Sequence, residues 1–349
     1  MLLYKFLLKL VSIGGVISHT YYQRRLPHHP AWIPPMITNR LSAVRLNSDR
    51  QQPRTGHRLP GSSGRSHQNH GVTAPPIRIT VVTATKNSVD TLSECLASVY
   101  RQSYVHREHI IIDGGSTDGT LAELEASRAH LDLVISEPDQ GIYDALNKGL
   151  ARATGDVIGF LNSDDLYADP HVLRRVAAAF ADPNVEAVYG DLIYVKRRDP
   201  GQVIRYWRSC PYSLPLLRMG WMPPHPTLYL RHEVFDRIGG FDRAYQIAAD
   251  YDLMLRLLRQ LKGKVVYLPN VMVHMRLGGV SNRSLFSILR KSWEDYRALR
   301  ANRVGGLVTL AIKNFSKIPQ FFRKPAVGLQ VAYPSHPALA GQSHAKYHW

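Results

Sequence analysis

Between residues 77 and 161, short apolar runs rich in Val and Ile alternate with segments whose apolar residues recur at helical spacing. Strands that are covered by helices on both faces have continuous apolar runs of this kind. Strands separated by single short helices pair in parallel. The pattern therefore predicts an α/β fold with a doubly wound, mostly parallel sheet and helices on both faces. The predicted strands cover residues 77–83, 109–113, 131–136 and 156–161.

The fourth predicted strand is followed by two adjacent carboxylates, Asp164 and Asp165. In open α/β sheets, ligands bind just beyond the carboxyl ends of the strands. Two acids in that position repel each other unless a cation shares the site. A divalent ion that takes one or two carboxylates completes its shell with water and phosphate oxygens. The alternative is a helix N-cap beside a solvated neighbour.

The alternation is less regular after Asp165. A rigid segment that contains Trp221, His225 and three prolines interrupts it. Helices are predicted near residues 170–181, 249–261 and 284–301, and strands near 185–189, 191–196, 202–207 and 264–276.

The positive charge is concentrated at the two ends of the chain. The 349 residues carry a net charge of +17, of which about +9 lies in residues 1–76 and about +5 in residues 313–349. A nucleic-acid-binding domain would carry its charge on the folded face, so we expect no nucleic-acid partner. Basic ends suit peripheral contact with an anionic membrane, and solvated, disordered ends are the alternative.

Residues 1–76 are predicted to form a basic, largely disordered extension. Residues 1–18 are mostly apolar, but Lys5 and Lys9 favour a helix in the membrane interface over one that spans it. Residues 19–76 are rich in Pro, Arg, His, Ser and Gly, which is typical of disorder. A start codon further downstream is a further alternative for this region.

Residues 303–349 are predicted to form a basic amphipathic tail. The apolar positions of residues 303–322 suit either a second interfacial helix or packing against the body of the protein. Cys95 and Cys210 are the only cysteines and provide no disulfide framework, so a reducing, cytoplasmic location is expected.

Two common nucleotide motifs are absent from the sequence. No Gly-x-Gly-x-x-Gly follows the first strand, and no Gly-x4-Gly-Lys-Ser/Thr occurs. The loop after the first strand, Thr-Ala-Thr-Lys-Asn at residues 83–87, contains no glycine, which argues against a sugar nucleotidyltransferase. What remains is a nucleotide site built from strand ends and a metal ion.

Four segments resemble, in the same order, the motifs of glycosyltransferase family 2. They are residues 83–87 (TATKN), 111–120 (IIDGGSTDGT), 136–149 (SEPDQGIYDALNKG) and 162–165 (NSDD). The resemblance covers about residues 77–280 and is greatest to non-processive bacterial enzymes of surface-polysaccharide assembly, of the colanic-acid type. It implies a GT-A fold over residues 77–302, with a nucleotide-binding half at 77–165 and an acceptor half at 166–302.

The resemblance also implies roles for residues near the donor. Asp113 would contact the base or ribose, and Thr83 and Thr85 would line the nucleobase. Asn147 and Lys148 would face the diphosphate. The alternatives are a helix cap for Asp113, ordinary strand chemistry for the threonines and a solvated ion for Lys148.

Asp164 and Asp165 resemble the metal-binding motif of the family. The second acid, Asp165, is the expected direct ligand of Mn²⁺ or Mg²⁺. Asp164 is expected to hold the ribose or donor sugar, or to be a second ligand. A metal in this position neutralises the departing diphosphate.

Asp250 matches the general base of the family at the start of a predicted helix. A general base must reach the acceptor hydroxyl within hydrogen-bond distance, and a helix N-terminus favours an ionised carboxylate. Asp252 is the rival, and Ala249 stands where relatives often carry an acid.

The remaining predicted site residues are further along the chain. Trp221 and His225 are expected on the acceptor side, with a rigid turn around a packed aromatic as the alternative. His274 and Arg276 resemble a flexible loop that closes over the diphosphate. Neither the Gln-x-x-Arg-Trp motif nor the multiple membrane spans of processive synthases occur in the sequence, so addition of a single sugar is expected.

The resulting hypothesis is an inverting, metal-dependent hexosyltransferase of polysaccharide or glycolipid biosynthesis. It would move one sugar from a nucleoside-diphosphate sugar to a saccharide acceptor, most simply a lipid-linked one at the inner face of the cytoplasmic membrane. The rivals are a sugar nucleotidyltransferase and a sugar-nucleotide-binding scaffold without turnover.

Overall fold

The computed structural model describes residues 75–278 and 285–316, without the side chains of residues 285–288. The extension up to residue 74, with its predicted interfacial helix, lies outside the described residues, as does the tail beyond residue 316. No helix in the described ranges is long and apolar enough to cross a membrane.

The first half of the described chain is a parallel βα arrangement, as predicted. Its strands pair in the order β3-β2-β1-β4, all in parallel. Every residue of β1 and β4 is buried, which agrees with their continuous apolar sequences. The elements are β1 (Ile79–Thr85), α1 (Val89–Tyr100), β2 (Arg107–Asp113), α2 (Thr120–Ala126), β3 (Leu133–Ser136), α3 (Ile142–Leu150) and β4 (Val157–Phe160).

The second half extends the same sheet and adds helices around it. Short 3₁₀ turns occur at Arg128–His130 and His225–Thr227. The elements are β5 (Leu166–Tyr167), α4 (Val172–Phe180), β6 (Val185–Lys196), β7 (Asp199–Trp207), α5 (Leu214–Arg218), β8 (Tyr229–Arg231), α6 (His232–Ile238), α7 (Ala249–Gln260), β9 (Lys264–Arg276), α8 (Leu285–Ala301) and α9 (Leu307–Phe315).

Within the described residues, the sheet has nine strands in the order β3-β2-β1-β4-β8-β6-β9-β5, with β7 paired to β6. β6 and β9 form a long parallel ladder, whereas β8 runs antiparallel to both β4 and β6. The predicted α/β class with a mostly parallel sheet is therefore confirmed. The short antiparallel strands β5 and β8 were not predicted.

Two boundaries differ from the sequence prediction because of glycines. α2 begins at Thr120 rather than residue 117, because Gly119 has a φ of 97° that does not suit a helix. The two strands predicted at 185–189 and 191–196 form one strand, β6. It passes Gly190 with a shift in register, where a Cβ atom would lie 2.4 Å from Met272 Sδ.

Helices α3, α6, α7 and α8 pack on one face of the sheet, and α1 and α4 on the other. α3 lies close to the sheet because residue 149 is glycine: a Cβ atom there would lie 2.3 Å from Val82 Cγ1. This packing brings the start of α3 next to the carboxyl ends of β1 and β2.

α9 packs on the body through polar side chains. Lys313 Nζ lies 2.7 Å from Asp295 Oδ2 on α8 and 3.2 Å from the ring centroid of Tyr251 on α7. Both charged side chains are almost completely buried. Residues 307–315 of the predicted amphipathic tail thus do pack against the body, through a buried ion pair.

Removing one partner of this pair should be much more harmful than removing both. Lys313→Met leaves the Asp295 carboxylate buried without its cation, and we expect a loss of about 3–5 kcal/mol in the free energy of unfolding. The double variant Lys313→Met/Asp295→Leu should recover most of that loss. Urea unfolding of the wild type, both single variants and the double variant measures the coupling; additive losses would contradict it.

Candidate active site

The carboxyl ends of β1, β2 and β4 meet at one edge of the sheet. Thr85 is in register with Asp113, and Asp113 with Ser136 at the end of β3. Phe160 ends β4, and the chain then turns through Asn162 to Asp165. The edge thus gathers the ends of all four motifs that the sequence singled out.

The carboxylate of Asp113 organises the loop that follows β2. It is fully buried and accepts the backbone N–H groups of Gly115 (3.1 Å) and Ser116 (3.0 Å). The hydroxyl groups of Ser136 (2.7 Å) and Ser116 also donate to it. Asp113 therefore shapes the turn before α2, and its contact with a nucleotide stays a prediction.

The two threonines that were predicted to line the nucleobase differ in the hydrogen bonds of their hydroxyl groups. Thr83 Oγ1 lies 3.1 Å from Nε2 of buried His109, whose pKa is lowered to about 3 by its burial and by Arg107. Thr85 Oγ1 is buried and has no hydrogen-bond partner among the described residues. Because an unpaired buried hydroxyl is costly, Thr85 is the better placed of the two to bind a ligand.

The acid pair after β4 is asymmetric. Asp165 is fully buried and accepts hydrogen bonds from Asn162 Nδ2 (2.9 Å) and from the backbone N–H of Arg276 (3.3 Å). Burial and the neighbouring Asp164 raise the pKa of Asp165 well above its usual range. The side chain of Asp164 is 27% exposed and lies 3.7 Å from Arg197 Nη1. Asp164 therefore faces outward, and Asp165 lies behind it.

These acids fit a divalent ion that arrives with the donor. No group of three or more His, Cys, Asp or Glu side chains in the described ranges could hold a metal by itself. An ion here would complete its shell with diphosphate oxygens and water. A cation would also relieve the repulsion that raises the pKa of Asp165. The geometry favours Asp164 as the more accessible ligand, whereas the sequence suggested Asp165.

Arg276 supports the acid pair from behind. Its guanidinium is buried and donates to the carbonyls of Asp164 (3.0 Å) and Arg197 (3.0 Å), and it pairs with Glu94 on α1. His274 is also buried, and burial lowers its pKa to about 4.

The expectation that His274 and Arg276 belong to a flexible loop was wrong. Both lie within strand β9 and are buried there. Both were expected to contact a diphosphate. The structure shows that Arg276 instead binds the backbone of the loop that carries Asp164 and Asp165. Residues 279–281 of the predicted loop lie outside the described residues.

Asn147 and Lys148 have partners within the protein. The side-chain amide of Asn147 donates a hydrogen bond to the carbonyl of Phe241 and accepts one from its N–H, each at 2.8 Å. Lys148 Nζ lies 2.7 Å from Glu137 and 3.4 Å from Asp144. The ion pair with Glu137 is the main cause of the raised pKa of Lys148. Asn147 thus joins α3 to the loop before α7, and the predicted diphosphate contacts of both residues stay predictions.

Asp250 lies in the first turn of α7, where Glu294 on α8 binds the entering backbone. Glu294 Oε2 accepts the N–H groups of Ile247 (2.8 Å) and Ala248 (3.0 Å). Tyr143 Oη on α3 donates to the carbonyl of Ile247 (2.7 Å) and lies 3.4 Å from Asp250 Oδ1. Asp250 is thus held between α3 and α8 while remaining partly exposed.

The rival acid, Asp252, is occupied by structural contacts. It is buried and binds Arg256 Nε at 2.7 Å and Asn302 Nδ2 at 2.8 Å. Both of its oxygens are engaged inside the protein. Of the two acids, only Asp250 is placed to meet a substrate hydroxyl.

His225 and Trp221 are placed differently from each other. The His225 ring stacks on Phe160 at 6.1 Å and meets Phe241 edge-on, and its Nε2 has no hydrogen-bond partner within the described ranges. Burial lowers the pKa of His225, and the nearby charge of Asp250 opposes this. Trp221 packs edge-on against Tyr189 at 5.9 Å. His225 therefore lies on the Asp250 side of the site. Trp221 is an aromatic side chain packed against Tyr189.

Known proteins share both the sequence motifs and the fold. Residues 80–241 match the family model described as Glycosyl transferase family 2. An uncharacterized glycosyltransferase of Mycobacterium tuberculosis is 34% identical over 184 residues, which cover 51% of this chain and 68% of that protein. A PGL/p-HBAD biosynthesis glycosyltransferase of Mycobacterium bovis is 31% identical over 207 residues, which cover 58% and 78%. The chain belongs to glycosyltransferase family 2.

The GT-A fold predicted for a family 2 glycosyltransferase is also found. The crystal structure of S. aureus TarS in complex with UDP-GlcNAc superposes with a TM-score of 0.53 and 19% identity, covering 65% of this chain and 66% of that one. A likeness at this identity concerns the fold.

Two residues of this family 2 site, Tyr143 and Glu294, were not identified from the sequence. Tyr143 stands inside one of the motifs, but its partner Ile247 is 104 residues away. Glu294 is in the final third of the chain and contacts α7 only through the tertiary fold. Glu294 and Asp295 are the two acids of an otherwise basic helix, and the sequence does not show that they are buried.

The raised pKa of Asp165 has a consequence for stability. A folded carboxyl with a raised pKa costs stability once the pH exceeds the pKa of the unfolded chain, about 3.9. Asp165→Asn should therefore stabilise the protein at pH 8 in the presence of a chelator, by about 1 kcal/mol or more. The gain should vanish towards pH 4.

Urea unfolding across this pH range measures the effect. Asp118→Asn is a control with the opposite sign: desolvation raises the pKa of Asp118, but hydrogen bonds from Thr120 and Val89 together outweigh it and lower the pKa. A loss of stability at pH 8 in Asp165→Asn would show that the carboxylate is not under repulsion.

Proposed function

We propose that the chain is an inverting glycosyltransferase that moves one sugar from a nucleoside-diphosphate sugar to an acceptor hydroxyl. The observation that carries the proposal is the placement of Asp250 beside the strand ends that carry the acid pair. Tyr194 on β6 is close enough to feel the charges of both Asp165 and Asp250. Burial raises the pKa of Tyr194, Arg205 opposes this, and the two acids add to it. The His225 ring stacks on Phe160 at the end of β4, and the charge of Asp250 acts on the pKa of His225.

The donor is proposed to bind at the strand ends with its diphosphate towards the acid pair. The unpaired hydroxyl of Thr85 and the loop shaped by Asp113 offer polar groups to the nucleoside. The UDP-GlcNAc bound by TarS, a protein of similar fold, supports a nucleotide sugar as the class of donor.

Asp164 and Asp165 are proposed to hold Mn²⁺ or Mg²⁺ together with the diphosphate. The ion supplies positive charge that stabilises the leaving nucleoside diphosphate. Arg276 keeps the Asp164 backbone and the Asp165 carboxylate in place, so that the acids need little rearrangement when the donor arrives.

Asp250 is proposed to accept the proton of the acceptor hydroxyl. As the O–H bond breaks, the oxygen forms a bond to the anomeric carbon, and the bond from that carbon to the diphosphate oxygen breaks. A single displacement of this kind inverts the anomeric centre. Tyr143 holds the Ile247 carbonyl and lies against Asp250, which fixes the direction of the carboxylate.

The acceptor is proposed to be a lipid-linked saccharide at the inner face of the cytoplasmic membrane. The similarity to a PGL/p-HBAD biosynthesis glycosyltransferase supports an acceptor within polysaccharide or glycolipid biosynthesis. The basic ends of the sequence support a peripheral location on an anionic surface.

A donor panel tests the proposal directly. We would measure binding and hydrolysis of UDP-, GDP- and dTDP-sugars with Mn²⁺, Mg²⁺ or a chelator. Release of one nucleoside diphosphate, dependent on metal and lost in Asp164→Asn, is the expected result. Binding without turnover, even with lipid-linked saccharides present, would favour a sugar-nucleotide-binding scaffold, and release of pyrophosphate from a nucleoside triphosphate would favour a nucleotidyltransferase.

Asp250→Asn and Asp252→Asn form a matched pair. Asp250→Asn should lower kcat by about 10²–10⁴-fold, because the amide accepts no proton, and should leave donor binding and unfolding unchanged. Asp252→Asn should instead lower the free energy of unfolding, because it weakens the buried pair with Arg256, and keep kcat within about tenfold. Steady-state kinetics and urea unfolding of both variants provide the comparison. An active Asp250→Asn enzyme would exclude this residue as the base.

A further inference from the structure

α9 is amphipathic in the direction opposite to that of a helix in a water-soluble protein. The side chains that it buries against the body are Thr309 and Lys313. Leu310 packs partly against the core. The other large apolar side chains of α9 point outward: Leu307 and Val308 are 70% and 75% exposed, and Ile312 and Phe315 are also exposed. A cluster of exposed apolar side chains on one helix is a feature of interaction sites.

The helix α8 also exposes large apolar side chains. Leu289 and Trp293 lie one helical turn apart and are 62% and 60% exposed. We define the apolar surface as the exposed apolar side chains of the two helices. It consists of Leu289, Trp293, Leu307, Val308, Ile312 and Phe315.

The exposed charges beside the apolar surface are all positive. Between residues 289 and 316 the exposed charged side chains are Arg290, Arg297, Arg300 and Arg303. The two acids of this segment, Glu294 and Asp295, are buried. One binds the start of α7 and the other pairs with Lys313. The fold thus keeps the negative charges inside and presents arginine and apolar groups outside.

We infer that the apolar surface docks on an anionic lipid bilayer. Apolar and aromatic side chains flanked by arginine insert at the boundary between headgroups and acyl chains, where the cations meet lipid phosphates. A second copy of the chain would bring two sets of arginines together, which is unfavourable. The inference rests on the proposed function in one respect: a lipid-linked acceptor would give this docking its purpose.

The helix α8 is connected through Glu294 to the segment that carries the candidate base. Glu294 projects inward from α8 and binds the backbone two residues before α7, while Trp293 beside it points outward. A bilayer bound to the outer face of α8 would therefore lie one helix diameter from the segment that carries Asp250. The arrangement suits an enzyme whose acceptor hydroxyl stays close to a membrane.

Vesicle co-sedimentation of the full chain tests the inference. We expect binding to vesicles of equal parts phosphatidylcholine and phosphatidylglycerol, little binding to phosphatidylcholine alone, and a loss of binding at high salt. Leu307→Ser/Val308→Ser should weaken binding by at least about tenfold. Arg300→Gln/Arg303→Gln should weaken it by at least about fivefold. Unfolding curves check that both variants are folded.

Matched controls come from exposed residues elsewhere on the protein. Val105→Ser/Leu121→Ser removes equivalent exposed apolar groups, and Arg152→Gln/Arg174→Gln removes two exposed arginines. Both controls should bind vesicles like the wild type. Equal binding of the Leu307/Val308 variant and the wild type would overturn the inference, as would a wild type that does not bind. A change of oligomeric state in that variant, without a change in vesicle binding, would point to a protein partner and also overturn it.

Hydrolysis of the soluble donor without vesicles keeps this test separate from the proposed function. The docking variants should hydrolyse the donor at the wild-type rate, because no substituted residue touches the strand ends. If donor turnover is absent in every protein while the variants still lose vesicle binding, the proposed function fails and the docking surface stands.

Discussion

The site depends on how the structure holds two adjacent carboxylates at the end of a buried strand. Asp164 and Asp165 would repel each other and lose hydration if nothing compensated them. Arg276 compensates part of this: its buried guanidinium donates to the Asp164 carbonyl and carries a positive charge that opposes the repulsion, and its backbone N–H donates to the Asp165 carboxylate. One acid stays inside and the other turns outward. A divalent cation would relieve the remaining repulsion, and its positive charge would also attract a diphosphate to the same place.

A second constraint joins parts of the chain that are far apart in sequence. Asp250 begins a helix whose first backbone groups are bound by Glu294, and Tyr143 binds the same segment from α3. The position of the candidate base therefore depends on both halves of the domain and on α8. Asp252, only two residues away, is tied to Arg256 and is unavailable for the same chemistry. The difference between the two acids comes from tertiary contacts.

The sequence predicted what depends on local pattern. The strand–helix alternation, the family and the positions of the acids along the chain could be derived, since apolar periodicity and motif spacing are local properties. The strand pattern did place Arg276 at the end of a strand over residues 264–276. The contacts of Arg276 could not be predicted, because its partners come from α1 and the loop after β4. Nor could the sequence predict that Asn147 binds Phe241, because that bond joins residues 94 positions apart.

Lys313 illustrates how charge alone misleads. In the sequence it adds to a basic tail, but in the structure it is buried with Asp295 and contributes nothing to the surface field. Attaching a helix through a buried ion pair costs more free energy than attaching it through apolar packing, because both ions lose their hydration. An apolar inner face would have fixed α9 equally well. The arrangement becomes understandable if the apolar side chains of α9 are needed outside, where water is not their final environment. The buried Lys313 and the exposed apolar side chains of α9 are then two consequences of one requirement, namely that this helix contacts the protein on one side and lipid on the other.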